Sequence, residues 1–179
     1  MKSIVVGILI FTGLGSIGCA PSKVFPPEAM QGVDPDFDFT RWRMLPNQAE
    51  AKKIQLGGQI VQSESTGETI TLVVAQLPIV EHPAYGPKDT GKSKGEFAIS
   101  YRGKIESSFL QRGNHIMVVG MTQAPKVVSV DDLPKSLPSV MAKCLHIWKT
   151  GGREIAEFPF NTGGGYEPLE EKTVCTEPR

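Results

Sequence analysis

The chain has 179 residues, and its 19 lysines and arginines balance its 19 aspartates and glutamates, so the formal net charge is zero. A hydrophobic fraction of 40% and a charged fraction of 21% exclude wholesale disorder and a protein with many membrane spans. The length suits a single domain, and the absence of a basic surplus removes the simplest argument for a nucleic-acid partner.

The N-terminus has the pattern of a secretory signal peptide. Lys2 supplies the positive charge, an apolar stretch follows, and small residues lead to Cys19. The 15 residues from 4 to 18 are fewer than the ~20 that a membrane-spanning helix needs. We therefore expect residues 1–18 to be a signal peptide that is removed.

The junction before Cys19 resembles the lipobox of bacterial lipoproteins, in which the cysteine thiol is acylated and becomes the first residue. Leucine usually stands three residues before that cysteine, whereas this chain has Ser16. The resemblance implies lipid attachment at Cys19, with palmitate among the acyl chains, and Ala20 as the next residue implies sorting to the outer membrane. The alternative is an ordinary secretory peptide with an incidental cysteine.

Residues 19–50 predict a proline-rich tether followed by a flap. The aromatic residues Phe37, Phe39 and Trp42 indicate that residues 36–45 pack on the domain. A short helix is predicted from Asn47 to Lys53, because asparagine is a good N-cap.

Alternating apolar residues then predict five strands, at residues 54–62, 68–77, 96–102, 114–122 and 140–149. Two long connections separate them, at residues 81–95 and 124–138. The glycine pair Gly57 and Gly58 indicates a bulge or bend inside the first strand.

These elements predict an all-β fold, a small five- to six-stranded OB-like β-barrel over residues 51–150. The last residues, 151–179, are rich in glycine and charge and predict a flexible, disordered tail. Cys144 and Cys175 could form a disulfide in an oxidising compartment. The alternative is a buried thiol in a strand and an unpaired thiol in the tail.

No catalytic or metal-binding motif is visible. His82, His115 and His146 lack the spacing of zinc ligands, and His115 and His146 are expected to be ordinary residues of strands. Asp131 and Asp132 are expected to be surface residues of a turn, with cation binding as the alternative. We expect no cofactor and no metal.

One possible ligand surface combines aromatic and basic neighbours on strands that could be adjacent. It contains Tyr101, Arg102 and Trp148. An OB-like fold could bind a ligand or an oligonucleotide there, but neutral charge and an extracytoplasmic location argue against nucleic acid.

Short motifs in a fixed order resemble the Slp family of outer-membrane lipoproteins. These motifs are Gly57-Gly58-Gln59-Ile60, Leu77-Pro78, Gly95-Glu96-Phe97-Ala98, Phe109-Leu110, Gly113, Val118-Val119-Gly120 and His146-Ile147-Trp148. Glu96 departs from the family, which tends to have a basic residue there. The resemblance implies an outer-membrane lipoprotein linked to starvation or stress, with no known catalytic residues.

We therefore expect a lipid-anchored domain that faces the periplasm. It would be a structural, stress-adaptive or binding module of the cell envelope, whose partner is an envelope protein or a glycan, and no nucleic acid is expected. The alternative is a secreted or periplasmic enzyme with a convergent site, or an OB-type ligand or oligonucleotide binder.

Overall fold

The computed structural model describes residues 24–45, 51–91 and 93–176. Strands dominate this part of the chain, and the helices are short. In chain order the elements are α1 (Pro27–Met30), α2 (Phe39–Met44), β1 (Lys53–Thr66), β2 (Thr69–Leu77), β3 (Ile79–Val80), β4 (Gly86–Pro87), β5 (Glu96–Arg102), a 3-10 turn (Ser107–Leu110), β6 (His115–Val130), β7 (Leu133–Trp148), a second 3-10 turn (Ile155–Glu157) and β8 (Glu171–Cys175).

Six of the strands form one sheet in the order β5-β2-β1-β6-β7-β8. All neighbours in this order are antiparallel. In addition, β5, the strand at one end of this order, pairs in parallel with β7. The sheet therefore curves until β5 reaches β7. β3 and β4 form a separate two-stranded ribbon. The prediction of a mainly β domain is confirmed.

The inner face of this curved sheet encloses the main core. Alternate residues of the long strands point inward, among them Ile54, Leu72 and Phe97, which are fully buried. Two glycines let the strands approach each other. A Cβ at Gly58 would collide with the carbonyl oxygen of Ala75, and one at Gly120 would collide with that of Met141. The bulge predicted at the glycine pair is displaced, because the register of β1 shifts between Ile60 and Gln62.

The outer face of the sheet is covered in two places. On β2 and β5, Val73 and Ala98 are buried beneath the folded-over tip of the β6–β7 hairpin, through Val128, Val130 and Leu137. We call this the hairpin face.

On β6 and β7, the outward residues Met117, Val119, Cys144 and Trp148 are buried beneath the N-terminal segment, through Phe25 and Ala29. We call this the terminal face, because segments near both chain ends cover it.

The connection predicted at residues 124–138 is wrong, because β6 and β7 continue through it as one long hairpin. Two of the prolines that suggested a loop lie at an irregularity, and Pro134 lies in the regular ladder opposite Ser129. The register shifts between Gln123 and Lys126, and Pro125 and Pro138 lie within or opposite that bulge. Proline is tolerated at bulges because no ladder hydrogen bond is needed there.

The disordered tail predicted from residue 151 is also wrong for the part that the structure describes. β8 pairs with β7 from Trp148 opposite Glu171 to Cys144 opposite Cys175. Without β8, β7 would have unpaired backbone N–H and C=O groups along one edge, and these groups hydrogen-bond to β8. The amino-acid composition of the tail does not indicate this pairing.

The N-terminal segment needs a similar correction. Residues 24–35 do not form an extended tether, since they contain α1 and bury Phe25. Residues 36–45 do pack on the domain as expected, because Phe39 and Trp42 of α2 lie in the main core. Most of the helix predicted from Asn47 lies outside the described residues, and at its end Lys53 begins β1 instead.

Candidate functional site

Cys19, the predicted lipid-attachment residue, lies outside the described residues. The description begins at Val24, whose carbonyl oxygen accepts a hydrogen bond from Thr173 Oγ1 of β8 at 3.2 Å. The next residue, Phe25, is 2% exposed and packs in the terminal face. The first described residues therefore lie at the terminal face.

His146 lies beneath this entry point. Its Nδ1 is 2.6 Å from Thr173 Oγ1, and its Nε2 is 3.4 Å from a carboxylate oxygen of Glu171. The imidazole also packs against Trp148, with ring centroids 4.1 Å apart, and against the edge of Phe25. Burial lowers the pKa of His146, while the charge of Glu171 opposes that shift.

His115 is the second buried histidine of the outward side of the sheet, on β6. Its Nδ1 is 2.8 Å from Thr150 Oγ1, and that hydroxyl donates to the carbonyl oxygen of Gly113. The Nε2 atom has no hydrogen-bond partner among the described residues. Burial lowers the pKa of His115 to about 4, so the ring is neutral at ordinary pH.

The expectation that both are ordinary strand residues fits their surroundings. Each ring is held by a threonine that the sequence analysis did not single out, Thr150 for His115 and Thr173 for His146. No sequence signal pairs these residues, because their separations of 35 and 27 positions depend on strand register. The third histidine, His82, is exposed in the loop before β4.

Cys144 and Cys175 are joined by a disulfide, with an S–S distance of 2.06 Å. The two residues stand directly opposite each other on β7 and β8. Cys144 is buried in the terminal face, whereas Cys175 is exposed. The bridge therefore fixes the strand that holds Val24 to the strand that forms the terminal face.

A cleft with a volume of about 830 Å³ opens widely to solvent. It lies where β2 begins and where β5 and β8 end. Its polar and charged lining residues are Glu68, Arg102, Lys104, Gln123 and Thr176. Tyr101 and Met141 provide an apolar floor, and burial raises the pKa of the Tyr101 phenol. The cleft offers hydrogen-bonding groups and two cations beside an aromatic ring.

The structure therefore separates the three residues of the predicted ligand surface. Tyr101 and Arg102 line this cleft, but Trp148 does not, because its ring is 2% exposed in the terminal face. The two strands are not neighbours at these positions. β5 meets β7 at residues 139–141, far along the strand from Trp148. Cys175, which the sequence analysis treated only as a possible disulfide partner, forms part of the cleft wall.

Asp131 and Asp132 have a structural role at the tip of the β6–β7 hairpin. Their φ values of 50° and 62° are those of the two-residue turn that connects tight hairpins. Within residues 24–45, 51–91 and 93–176, no cluster of three or more His, Cys, Asp or Glu side chains could hold a metal ion. In the same ranges, no helix is long and apolar enough to cross a bilayer.

The comparison with protein families decides the membership of this chain. The model of the outer membrane lipoprotein Slp family matches residues 17–168, which is most of the sequence. The chain belongs to the Slp family. It is accordingly an outer-membrane lipoprotein, as its motifs predicted. No curated protein and no solved structure gives a significant match.

The Slp-family match covers some of the features described above and leaves out others. It includes Cys19 and the strands up to β7, and it ends before β8. Cys144 thus lies inside the matched range and Cys175 outside it. The disulfide and the Thr173 hydrogen bond join the Slp-family region to the segment that follows it.

Proposed function

We propose that this Slp-family protein is anchored through acylated Cys19 and holds a non-catalytic binding module at the periplasmic surface of the outer membrane. The module would bind an envelope protein or a glycan through the cleft at Arg102. The observation that carries the proposal is the fixed position of Val24, which leaves a short connection between the anchor and the domain.

The length of that connection sets the distance from the membrane. Five peptide steps from Cys19 to Val24 span at most about 18 Å when fully extended. Acyl chains stabilise membrane attachment by ~0.8 kcal/mol per buried CH₂ group, so a cysteine with several chains does not dissociate. The domain would therefore lie against the bilayer surface rather than at the end of a long tether.

Cell fractionation and intact-mass measurement test the anchor. The wild-type protein should be found in the outer-membrane fraction, should lack residues 1–18 and should carry added acyl mass, and Cys19→Ser should lose both the acyl mass and the membrane fraction. The double variant Cys144→Ser/Cys175→Ser is the matched control, because it changes cysteines without touching the anchor. Membrane-bound, unacylated Cys19→Ser protein would contradict the proposal.

We also propose that the sheet is a closed barrel of the OB type. The pairings support this, since β1, β2, β5, β7 and β6 follow one another in a circuit that returns to β1. A five-stranded barrel with one parallel contact has this order in OB folds. Far-ultraviolet circular dichroism dominated by helix would contradict it.

An oligonucleotide-binding role is disfavoured by the hairpin face. OB folds that bind oligonucleotides use the outer side of strands 2 and 3, which correspond here to β2 and β5. In this protein Val73 and Ala98 on that side are already buried by the chain's own hairpin. The surface on which bases would stack is therefore occupied.

A binding role is favoured over an enzymatic one by the separation of the histidines from the cleft. No histidine lines the 830 Å³ cleft. His146 does approach an acid and a hydroxyl, but Thr173 Oγ1 donates its proton to the carbonyl oxygen of Val24. A hydroxyl held in this way supports the domain rather than attacking a substrate.

Photo-crosslinking tests the binding role. A photoreactive amino acid at Arg102, in the cleft, should give a specific adduct in intact cells, and the same group at exposed Glu64 should not. A protein adduct would identify an envelope protein, and a muropeptide adduct would identify a glycan. Equal labelling at both positions would contradict the proposed site.

The association with starvation or stress implied by the family extends the proposal to a stress-adaptive role. Quantitative proteomics of growing and starved cells tests that extension. Unchanged abundance under starvation, acid and oxidative stress would contradict it.

A further inference from the structure

Two large aromatic side chains stand exposed on a small ordered hairpin near the C-terminus. Phe160 and Tyr166 form an isolated β-bridge, and their rings meet edge to face with centroids 6.1 Å apart. Phe160 is 56% exposed and Tyr166 is 73% exposed. We call residues 158–167 the aromatic finger. The two rings are adjacent, and contiguous exposed apolar surface is a mark of an interaction site.

The finger is held in shape by its own hydrogen bonds rather than by the core. Asn161 Oδ1 accepts the backbone N–H groups of Gly163 and Gly165 at 3.0 and 2.9 Å, and the Asn161 N–H donates to the Gly165 carbonyl at 2.9 Å. At its base, Arg153 forms an ion pair with Glu167 at 3.2 Å. The finger therefore presents its aromatic rings outward from a fixed base.

The base of the finger lies on the terminal face. Ile155 and Leu169, which bracket the finger, both pack against the same apolar cluster as Val24 and Phe25. Tyr166 is three residues from Leu169 and so lies within about 11 Å of it along the chain. The aromatic finger and the connection to Cys19 thus leave the domain from the same apolar cluster.

We propose that the aromatic finger inserts Phe160 and Tyr166 into the interfacial region of the bilayer that holds the lipid on Cys19. This rests on the proposed anchoring of Cys19. Aromatic rings favour the boundary between headgroups and acyl chains, where an apolar ring is buried and a hydroxyl such as that of Tyr166 stays hydrated. The lipid fixes one point of the protein at the membrane, and the finger fixes the orientation of the domain about that point.

The charges around the finger indicate which lipid surface suits it. Residues 149–172 contain five glutamates and three basic residues. An acidic rim is repelled by anionic headgroups, because negative surface potentials attract basic and not acidic segments. Zwitterionic phospholipid is therefore the expected surface.

Tryptophan placed in the finger tests insertion directly. The full acylated chain carrying Phe160→Trp is reconstituted in phosphatidylcholine vesicles with or without bromine on the acyl chains. The matched control is Val127→Trp, at a 69% exposed position on the β6–β7 hairpin. Wild-type protein supplies the background of Trp42 and Trp148, both of which are buried.

We expect brominated lipid to remove roughly half of the added fluorescence at position 160, because interfacial residues lie within reach of the upper acyl chain. The added fluorescence at position 127 should be unchanged. Equal quenching at both positions, or none at position 160 in protein whose acylation is verified by intact mass, overturns the proposal while leaving the anchor intact. If intact mass shows that the protein is not acylated, and the protein does not bind the vesicles, both the proposed anchor and the proposed insertion are overturned.

A protein partner for the finger gives a different result. A blue shift in the added fluorescence of the Phe160→Trp variant in native outer membranes, without quenching in pure lipid vesicles, would assign the rings to a protein surface and overturn the lipid assignment. The variant Phe160→Ser/Tyr166→Ser should unfold at the wild-type temperature, because both rings are exposed. It should also change the lipid accessibility of other surface positions if the finger orients the domain.

Discussion

The hairpin face and the terminal face bury the outer side of the same sheet in different ways. The hairpin face is covered by residues of β6 and β7 themselves, near the tip of the hairpin that these two strands form. The terminal face is closed by a segment near the N-terminus that is held by a strand near the C-terminus. The first depends on one hairpin, and the second depends on the two ends of the chain meeting.

The buried polar chemistry follows the same division. Both buried histidines, His115 and His146, lie on the outward side of β6 and β7, and the disulfide lies there as well. The described buried residues of the hairpin face are apolar apart from Ser100, which Lys126 contacts, and they contain no histidine or cysteine. Acid and reductant should therefore loosen the terminal face selectively.

The largest effect should come from removing the main apolar contact of the N-terminal segment. Phe25→Ala should lower the free energy of unfolding by about 4 kcal/mol, because a fully buried aromatic ring is lost. Leu137→Ala on the hairpin face is the matched control and should cost about 2 kcal/mol. Hydrogen exchange should rise around Met117 and Val119 for Phe25→Ala only. Equal exchange in both variants would contradict the independence of the two faces.

Removing the disulfide should come next. Cys144→Ser/Cys175→Ser should lose about 3.5 kcal/mol, since the bridge closes a loop of 31 residues in the unfolded chain. Denaturant unfolding under oxidising conditions measures the loss. Reductant should shift the wild type toward the variant and leave the variant unchanged. A reductant effect of the same size on the variant would show that the disulfide is not its cause.

Acid should weaken the domain through His115. The unfolded chain binds this proton near pH 6.5, whereas the folded state keeps the ring neutral until pH about 4. The unfolded state therefore binds more protons between these values, and stability should fall by about 3 kcal/mol as the pH drops through that window.

His115→Gln tests the origin of this pH dependence. It should flatten the slope of unfolding free energy between pH 6.5 and about 4, even if its stability at pH 7 is lower. His82→Gln is the control, because His82 is exposed. An unchanged slope in His115→Gln would assign the acid sensitivity to other groups.

The smallest effect should come from the polar contact that holds the hairpin over β2 and β5. Lys126 Nζ donates to Thr71 Oγ1 at 2.9 Å and to Ser100 Oγ at 3.0 Å. Lys126→Met keeps the length of the side chain and removes these bonds, so it should lose about 1 kcal/mol. Faster hydrogen exchange should appear in the hairpin, with the terminal face unaffected. A change at Phe25 instead would contradict the separation of the two faces.

Much of the sheet could be predicted from the sequence because its information is local. The alternation of β-branched residues in β2 and the apolar run that begins β6 are direct signs of strands. The glycines at 58 and 120 are required by backbone contact. The register is irregular beside Gly120, whereas in β1 it shifts between Ile60 and Gln62 and not at the predicted glycine pair. The extensions of β6 and β7 were missed, because prolines at a bulge have the same appearance in sequence as prolines in a loop.

The terminal face could not be predicted because its contacts are distant in sequence. Nothing near Thr173 indicates that it faces His146, and the burial of Phe25 among prolines depends on a surface built by β6 and β7. Trp148 was assigned to a ligand surface for a related reason. Its neighbours on the outward side come from α1 and the loop at Ile155, not from β5. One feature of the aromatic finger is visible in the sequence, namely a run of glycines between two aromatic residues.

The hydrogen bond between Thr173 and Val24 joins residues that are 149 positions apart. A chain that emerges with its N-terminus first cannot form this hydrogen bond until β8 has arrived, and Phe25 has no apolar surface to pack on until β6 and β7 have formed. Contacts of such long range form late in folding. The two ends of the described chain therefore become joined only at the close of folding, so the terminal face is completed after the strands on which it is built.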